Sequence, residues 1–127
     1  MSDLERSGAR LNLARHRLKR ADFTRLYRLG RRAKGRWLTV VVLENELGRA
    51  RLGLSVSKKI ARRAVDRNRV RRILREAFRL RRKELPTNLD LVLIASAPET
   101  RLELAAVESE LLELVMRARR KPPRKQP

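Results

Sequence analysis

The sequence contains no cysteine and a single histidine, His16. Without cysteine the chain has no disulfides and no thiolate metal ligands, which fits a reducing, cytoplasmic environment. With one histidine it cannot build a two-histidine ribonuclease site, and a Ser-His-Asp triad would depend on a residue close to the N-terminus. The acidic residues are scattered, and no glycine-rich phosphate loop is present. We therefore expect no catalytic residue in the protein and no metal ion held by the protein alone.

Aromatic residues and long apolar runs are also scarce. Phe, Tyr and Trp make up 3% of the 127 residues, so aliphatic side chains must fill most of the core of what we predict to be one domain. No apolar run approaches the ~18 residues of a transmembrane helix. The N-terminal sequence MSDLERSGARLNLAR is too charged for a secretory signal peptide. These absences predict a cytoplasmic protein that does not enter a membrane.

Positive charge is abundant and unevenly distributed. The chain has 34 Lys and Arg against 14 Asp and Glu, a formal net charge of +20. Such a charge attracts polyanions and opposes tight self-association, so we expect a monomer with nucleic acid as its partner. Residues 58–83 hold thirteen Lys and Arg against Asp66 and Glu76. Residues 99–115 hold five glutamates against Arg101, and we interpret them as an ordinary solvated helix face.

The pattern of the N-terminal half predicts one helix and two strands. In RADFTRLYRLG, apolar residues at helical spacing are followed by Gly30, a candidate C′ residue that ends the helix. Residues 36–44 are β-branched and apolar, which is typical of a covered strand. In the next predicted strand, 51–59, Leu52 and alternate residues face a core, and the opposite face is small and polar.

The C-terminal half predicts a second helix from about Ala64 to Lys83, a buried strand at 89–95 and a last helix ending near Arg119. We place the start of the last helix at a capping box, with Thr100 at the N-cap and Glu103 at the third helical position. These elements predict a small α/β or α+β sandwich. A basic leader (1–14) and a basic tail (120–127) are predicted to be disordered around a folded domain at 15–119.

The second helix has one apolar stripe and one face rich in arginine. Like charges at i, i+4 spacing cost ~0.2–0.5 kcal/mol per pair, so a phosphate backbone that neutralises them is the favoured partner. Asn68 adds a donor and an acceptor for a base edge, a 2′-hydroxyl or a hydrated metal ion, although it is also a candidate helix N-cap. The residues that we predict to bind RNA are Arg67, Asn68, Arg69, Arg71, Arg72 and Arg75.

A second candidate surface is the polar face of the predicted strand at 51–59. Lys58 and Lys59 lie at the end of this strand, so a smooth strand face is bordered by cations. An extended single strand of nucleic acid fits such a surface, with phosphates on the lysines and bases against the sheet. Phe23 and Tyr27, one helical turn apart, are candidate stacking surfaces; packing in the core is the alternative.

These motifs resemble a known family. The segment GLSVSKKIARRAVDRNRVRRILREAFR (53–79) resembles the signature of the bacterial ribonuclease P protein component, whose hallmark helix carries Arg-Asn-Arg, here Arg67-Asn68-Arg69. The upstream RHRLKRADFTRLYRLG is similar to the N-terminal region of that family. The resemblance covers 15–119 and implies the order α-β-β-β-α-β-α around a small central sheet with a left-handed β-α-β crossover. The sequence alone would favour a right-handed crossover, because about 98% of connections between parallel strands of one sheet are right-handed.

The resemblance also implies a function. In this family a large RNA, with Mg²⁺, cuts the 5′ leader from precursor tRNA, and one protein monomer binds that RNA and the leader. By this resemblance the arginines and Asn68 would contact the catalytic RNA. Some relatives present an aromatic residue to the leader where this chain has Val40, so stacking would be lost there. The leader cleft implied by the resemblance consists of Phe23, Tyr27, Val40, Ser55, Lys58 and Lys59.

Three other functions share some of these features. A structural RNA-binding protein of the ribosomal or RNA-chaperone type has the same charge but needs no leader cleft. A DNA-binding protein would place the arginine-rich helix in the major groove, but no helix-turn-helix pattern is evident. A helix lying on an anionic membrane would need the apolar stripe that we assign to the core.

Overall fold

The computed structural model describes residues 17–98 and 102–122. The elements of this part are α1 (Arg20–Leu29), β1 (Arg31–Lys34), β2 (Leu38–Glu44), β3 (Arg51–Ser55), α2 (Ala64–Arg81), β4 (Leu89–Ala95) and α3 (Leu104–Arg120). A short 3-10 turn, Arg82–Glu84, follows α2. The order α-β-β-β-α-β-α is therefore confirmed.

The four strands form one mixed sheet in the order β1-β2-β4-β3. The β1–β2 and β2–β4 pairs are antiparallel, and β3 is parallel to β4. Because α2 connects the two parallel strands, they form the β-α-β unit that the resemblance implies; its handedness stays a prediction. The edge strand β1 carries Arg31, Arg32 and Lys34, and charged residues of this kind oppose edge-to-edge pairing with another chain.

Strand alternation divides the core between the two faces of the sheet. Val40, Leu91 and Leu93 belong to the larger core cluster, which also contains the buried residues of α2 and α3. Val41 and Val92 point to the other face and pack with Leu18 and with Leu26 of α1. The sandwich is thus confirmed, with α2 and α3 on one side of the sheet and α1 on the other.

The apolar stripe predicted for the second helix is the part of α2 that faces the core. Val70, Leu74, Ala77 and Phe78 are fully buried, and Ile73 packs against them from the edge. The period of 3.6 residues therefore locates the core face correctly, and the arginines lie elsewhere on the helix.

One predicted helix end is confirmed and one is wrong. The first helix ends at Leu29 with Gly30 as its C-cap, and Gly30 has φ −70°, so it is not there for a left-handed conformation. Position 30 has no room for a side chain, because a Cβ would lie 2.5 Å from the Leu26 carbonyl oxygen and 2.6 Å from Val41 Cγ1. The last helix begins at Leu104, and Glu103 is its N-cap in extended conformation, because the preceding Leu102 is buried in the core. The predicted capping box is therefore wrong, and Thr100 lies outside the described residues.

The acidic segment 99–115 is not simply a solvated face. Glu110 accepts hydrogen bonds from the backbone N–H groups of Arg36 (2.9 Å), Trp37 (2.7 Å) and Leu38 (2.8 Å). One carboxylate of α3 therefore accepts the free backbone N–H groups where the chain passes from β1 to β2. Glu108 also forms an ion pair, with Arg81 Nε at 3.0 Å.

The predicted terminal segments lie mostly outside the described residues, as does His16. At the C-terminal boundary α3 continues through Arg120, one residue beyond the predicted helix end, and the backbone N–H of Lys121 donates to the Ala118 carbonyl at 3.2 Å. The disordered leader and tail stay predictions.

Candidate nucleic-acid interface

One surface of α2, here called the arginine face, comprises Arg67, Asn68, Arg69, Arg71, Arg72 and Arg75. Asn68, Arg69, Arg72 and Arg75 are exposed, whereas Arg67 and Arg71 are half-buried. The two acidic residues of α2 are paired with arginines outside this face. Asp66 accepts from Arg63 Nε at 2.7 Å, and Glu76 pairs with Arg79, whose hydrogen bond lowers the pKa of the Glu76 carboxyl. The face therefore keeps its positive charge.

Two members of the arginine face have local partners. Arg67 Nη1 donates to the carbonyl oxygens of Ala61 (3.1 Å) and Arg62 (2.7 Å), so this side chain closes the loop that precedes α2. Asn68 Oδ1 accepts from Arg71 Nη1 at 3.0 Å. Because the N-cap of α2 is Arg63, the alternative role of Asn68 as a helix cap is excluded.

Phe23 and Tyr27 form an aromatic edge along α1. Their ring centroids are 6.3 Å apart, and both rings are half-buried beside the smaller core cluster. The Phe23 ring lies on the backbone of β3, since a Cβ on Gly53 would come within 2.8 Å of Phe23 Cε1. The two predicted roles are thus combined: each ring packs against the protein, and part of each ring stays exposed.

The strand and lysines predicted for the same cleft lie at the end of β3. Ser55 is half-buried and is in register with Ile94 of β4. The strand ends there, four residues earlier than predicted, and the chain turns, with the Ser57 carbonyl accepting from the N–H groups of Ile60 (3.1 Å) and Ala61 (3.2 Å). Lys58 and Lys59 are exposed in this turn. The turn also leads directly into the arginine face.

Val40 does not belong to the cleft. It is completely buried in the core beneath α2 and α3, so its predicted contact with a ligand is wrong. The neighbours on either side along β2, Thr39 and Val41, point to the α1 side of the sheet. Val41 is itself covered by α1, which leaves Thr39, half-buried, as the residue of β2 beside the open surface.

A buried ion network fixes α1 to the sheet. Asp90 is 1% exposed and accepts from Arg51 Nε and Nη2, both at 2.8 Å, and from Asn45 Nδ2 at 2.7 Å. Arg51 also reaches both oxygens of Asp22 at 3.3 Å, and Asp22 directly precedes Phe23. The hydrogen bond to Asp90 raises the pKa of the Arg51 guanidinium. This network was not predicted from the sequence, because its members are far apart along the chain.

The described residues contain no group of three or more His, Asp or Glu side chains arranged to hold a metal ion. In the same part of the chain, no helix is both long enough and apolar enough to span a bilayer.

Comparison with known proteins assigns the family. The family model described as Ribonuclease P matches residues 13–119. The chain is 43% identical over 100 residues to the ribonuclease P protein component of Pelotomaculum thermopropionicum, covering 79% of this chain and 88% of the relative. It is 44% identical over 106 residues to that of Desulfovibrio desulfuricans, covering 80% and 81%.

Solved structures agree with this assignment. The RNase P protein of Staphylococcus aureus superimposes with a TM-score of 0.69 at 32% identity, covering 83% of this chain and 95% of that one. The RNase P protein of Thermotoga maritima gives 0.68 at 28%, covering 85% and 96%. The chain belongs to the ribonuclease P protein family.

Proposed function

We propose that this chain is the protein subunit of ribonuclease P. In this role it binds the catalytic RNA and the 5′ leader of precursor tRNA, and it assists the removal of the leader that gives the mature tRNA 5′ end. The proposal depends most on one observation: a short turn that contains Lys58 and Lys59 connects the partly exposed face of β3 to the arginine face of α2. Family membership supplies the reaction.

We assign catalysis to the RNA subunit, and Mg²⁺ to the RNA-catalysed reaction rather than to a protein site. We further propose one monomer per catalytic RNA. The charged edge strand β1 and the net charge of +20 both oppose self-association.

The arginine face is the proposed contact with the catalytic RNA. Arg69, Arg72 and Arg75 extend into solvent from a rigid helix, and planar guanidinium groups bind phosphate oxygens with two hydrogen bonds. Asn68 offers its amide N–H groups beside them, because its carbonyl oxygen is bonded to Arg71. This arrangement suits a structured RNA backbone with some selectivity beyond charge.

The leader cleft is proposed to consist of Phe23, Tyr27 and Ser55, with Lys58 and Lys59 at its rim. Half-exposed rings provide base-stacking surfaces, each worth about 1–3 kcal/mol per base, and the lysines attract the backbone. Gly53 leaves room for the Phe23 ring at the floor of the cleft. An extended single strand fits these features better than a duplex.

A structural RNA-binding protein without a role in cleavage is the second candidate, supported by the charge alone. To separate the two, single-turnover cleavage of precursor tRNA by a bacterial ribonuclease P RNA would be measured at low Mg²⁺, with and without the protein. We expect the protein to accelerate cleavage of a substrate with a long leader more than one with a one-nucleotide leader. Tight RNA binding without any acceleration would favour the structural role, and cleavage by the protein alone would refute the assignment of catalysis to RNA.

A further inference from the structure

A basic pocket lies at the opposite end of the sheet from Lys58 and Lys59. It has a volume of about 610 Å³ and is called here the β1 pocket. Its lining residues are Arg32, Lys34, Thr39, Ile94, Ser96 and Lys121. It includes none of the residues assigned above to the arginine face or the leader cleft.

The β1 pocket and the leader cleft share one row of the sheet. Lys34 of β1 is in register with Thr39, Thr39 with Ile94, and Ile94 with Ser55. Three inter-strand spacings of ~4.8 Å make this row about 14 Å long. The four residues are exposed or half-buried, so the row is open to solvent along its length.

The neighbouring row, in contrast, lies under α1. Arg32 is in register with Val41, Val41 with Val92, and Val92 with Gly53. Val41 and Val92 are buried against α1, and Gly53 is covered by the Phe23 ring. The helix therefore forms one wall of a continuous strip that runs from β3 to β1.

The aromatic edge of α1 follows the same direction. Phe23 lies over β3, Tyr27 comes one turn later, and the Arg32 guanidinium carbon is 5.9 Å from the centroid of the Tyr27 ring. Aromatic surfaces at the β3 end are thus continued by a cation at the β1 end.

The β1 pocket has the chemistry of a phosphate site. Three of its lining residues are cations, and among the described lining residues there is no acid. Thr39 Oγ1 and Ser96 Oγ are 3.1 Å apart and share one hydrogen bond. The Ser96 hydroxyl also donates to the Ile94 carbonyl oxygen, but at 3.5 Å this bond is longer than an ordinary O–H···O bond, so an anion in the pocket can compete for that O–H. Lys121 Nζ donates to the Arg32 carbonyl oxygen, which holds this ammonium group near the pocket.

We propose that the β1 pocket binds a backbone phosphate of the leader, beyond the nucleotides that contact Phe23 and Tyr27. This inference rests on the proposed function. The β3 end of the strip adjoins the arginine face, which holds the catalytic RNA, so the leader enters at β3 and leaves at β1. Only a leader long enough to cross the sheet reaches the pocket.

Lys34→Ala is the most direct test. Lys34 is exposed, and its backbone carbonyl accepts from Arg117 Nη1, a contact that the substitution keeps, so the folded structure should keep its melting temperature. Affinity of the reconstituted holoenzyme for precursor tRNA would be measured with ten-nucleotide and two-nucleotide leaders. We expect Lys34→Ala to weaken binding of the long-leader substrate about 3- to 10-fold and to leave the short-leader substrate unchanged. The salt slope for the long leader should fall by about 0.7.

Two further variants sharpen the test. Lys83→Ala removes one exposed cation from the 3-10 turn after α2 and is the matched control, expected to change neither substrate. Thr39→Val combined with Ser96→Ala keeps every cation and should also weaken the long-leader substrate selectively.

Equal weakening of both substrates by Lys34→Ala, or no weakening relative to Lys83→Ala, would overturn the β1 pocket as a phosphate site of the leader. If the unmodified protein shows no preference for the long leader, the proposed function fails with it. If the unmodified protein prefers the long leader and Lys34→Ala prefers it equally, the β1 pocket is overturned and the proposed function stands.

Discussion

At the scale of single residues, the arginines of α2 are not equivalent. The helical pattern predicts the same role for Arg67 and Arg72, because both lie off the apolar stripe. In the structure Arg72 extends into solvent, whereas Arg67 donates to the carbonyls of Ala61 and Arg62. Of these two arginines, Arg72 is therefore the one whose replacement tests RNA contact without removing a contact within the fold.

Arg72→Ala should weaken binding of the catalytic RNA and lower the salt slope by about 0.7–0.9, because one phosphate contact is lost. Its melting temperature should stay that of the unmodified protein. Arg67→Ala should weaken binding and also destabilise the fold, by about 0.5–1.5 kcal/mol for the lost loop contacts. Filter binding over a salt series and thermal denaturation measure the two effects; an unchanged melting temperature for Arg67→Ala would show that its two bonds contribute nothing.

Gly53 is the residue on which the position of Phe23 depends. In Gly53→Ala the new methyl group would meet the Phe23 ring, within 2.8 Å of Cε1, so the ring must move off the strand. We expect a destabilisation of about 1–3 kcal/mol and a loss of the preference for long leaders, with binding to the catalytic RNA retained. Denaturant unfolding and leader-length series test this. The double variant Gly53→Ala with Phe23→Leu should regain stability but not the preference, which separates packing from stacking.

At the scale of elements, the strength of the sequence pattern decided what could be predicted. The second helix was predicted correctly because Val70, Leu74 and Phe78 repeat at helical spacing over about two turns of the chain. Strand β2 was located but its faces were not, since Val40, Val41 and Val42 are all completely buried and no alternation shows which one faces α1. Val40 was placed in the leader cleft by the family resemblance, and no alternation along the strand contradicted that placement.

Other elements gave no pattern at all. Strand β1, with the sequence RRAK, is charged and short, so only the resemblance implied a third strand before α2. The β1 pocket was also not predicted, because its residues come from three strands and the end of α3, which are far apart along the chain. Ion pairs such as Arg51–Asp90 depend on strand register, which composition and periodicity do not determine.

The Asp22–Arg51–Asp90 network is the anchor of α1. Arg51→Ala would leave Asp90 buried without its cation, and removing one partner of a buried pair costs about 3–5 kcal/mol. We expect Arg51→Ala to unfold at a correspondingly lower denaturant concentration. Asp22→Ala, which leaves the Arg51–Asp90 pair intact, should lose far less stability but should weaken the preference for long leaders, because α1 carries both rings. Equal destabilisation by the two variants would contradict the view that Asp90 is the centre of the network.

At the scale of the whole molecule, acidic and basic side chains have different roles. The acids Asp22, Asp90 and Glu110 hold elements together, while exposed cations border the arginine face, the leader cleft and the β1 pocket. Combined replacement of Arg69, Arg72 and Arg75 by alanine should lower the salt slope of binding to the catalytic RNA by about 2–3. A slope unchanged in this variant would mean that the face is ordinary solvated surface.

The central claim is that two surfaces of one small protein bind two different RNAs. The most direct measurement compares Arg72→Ala with Phe23→Ala in two assays, affinity for the catalytic RNA alone and preference of the holoenzyme for long over short leaders. We predict that Arg72→Ala weakens binding to the catalytic RNA and, at saturating protein, keeps the preference for long leaders. Phe23→Ala should keep the binding to the catalytic RNA and lose the preference for long leaders. Loss of both properties in both variants, with the fold intact, would contradict the account.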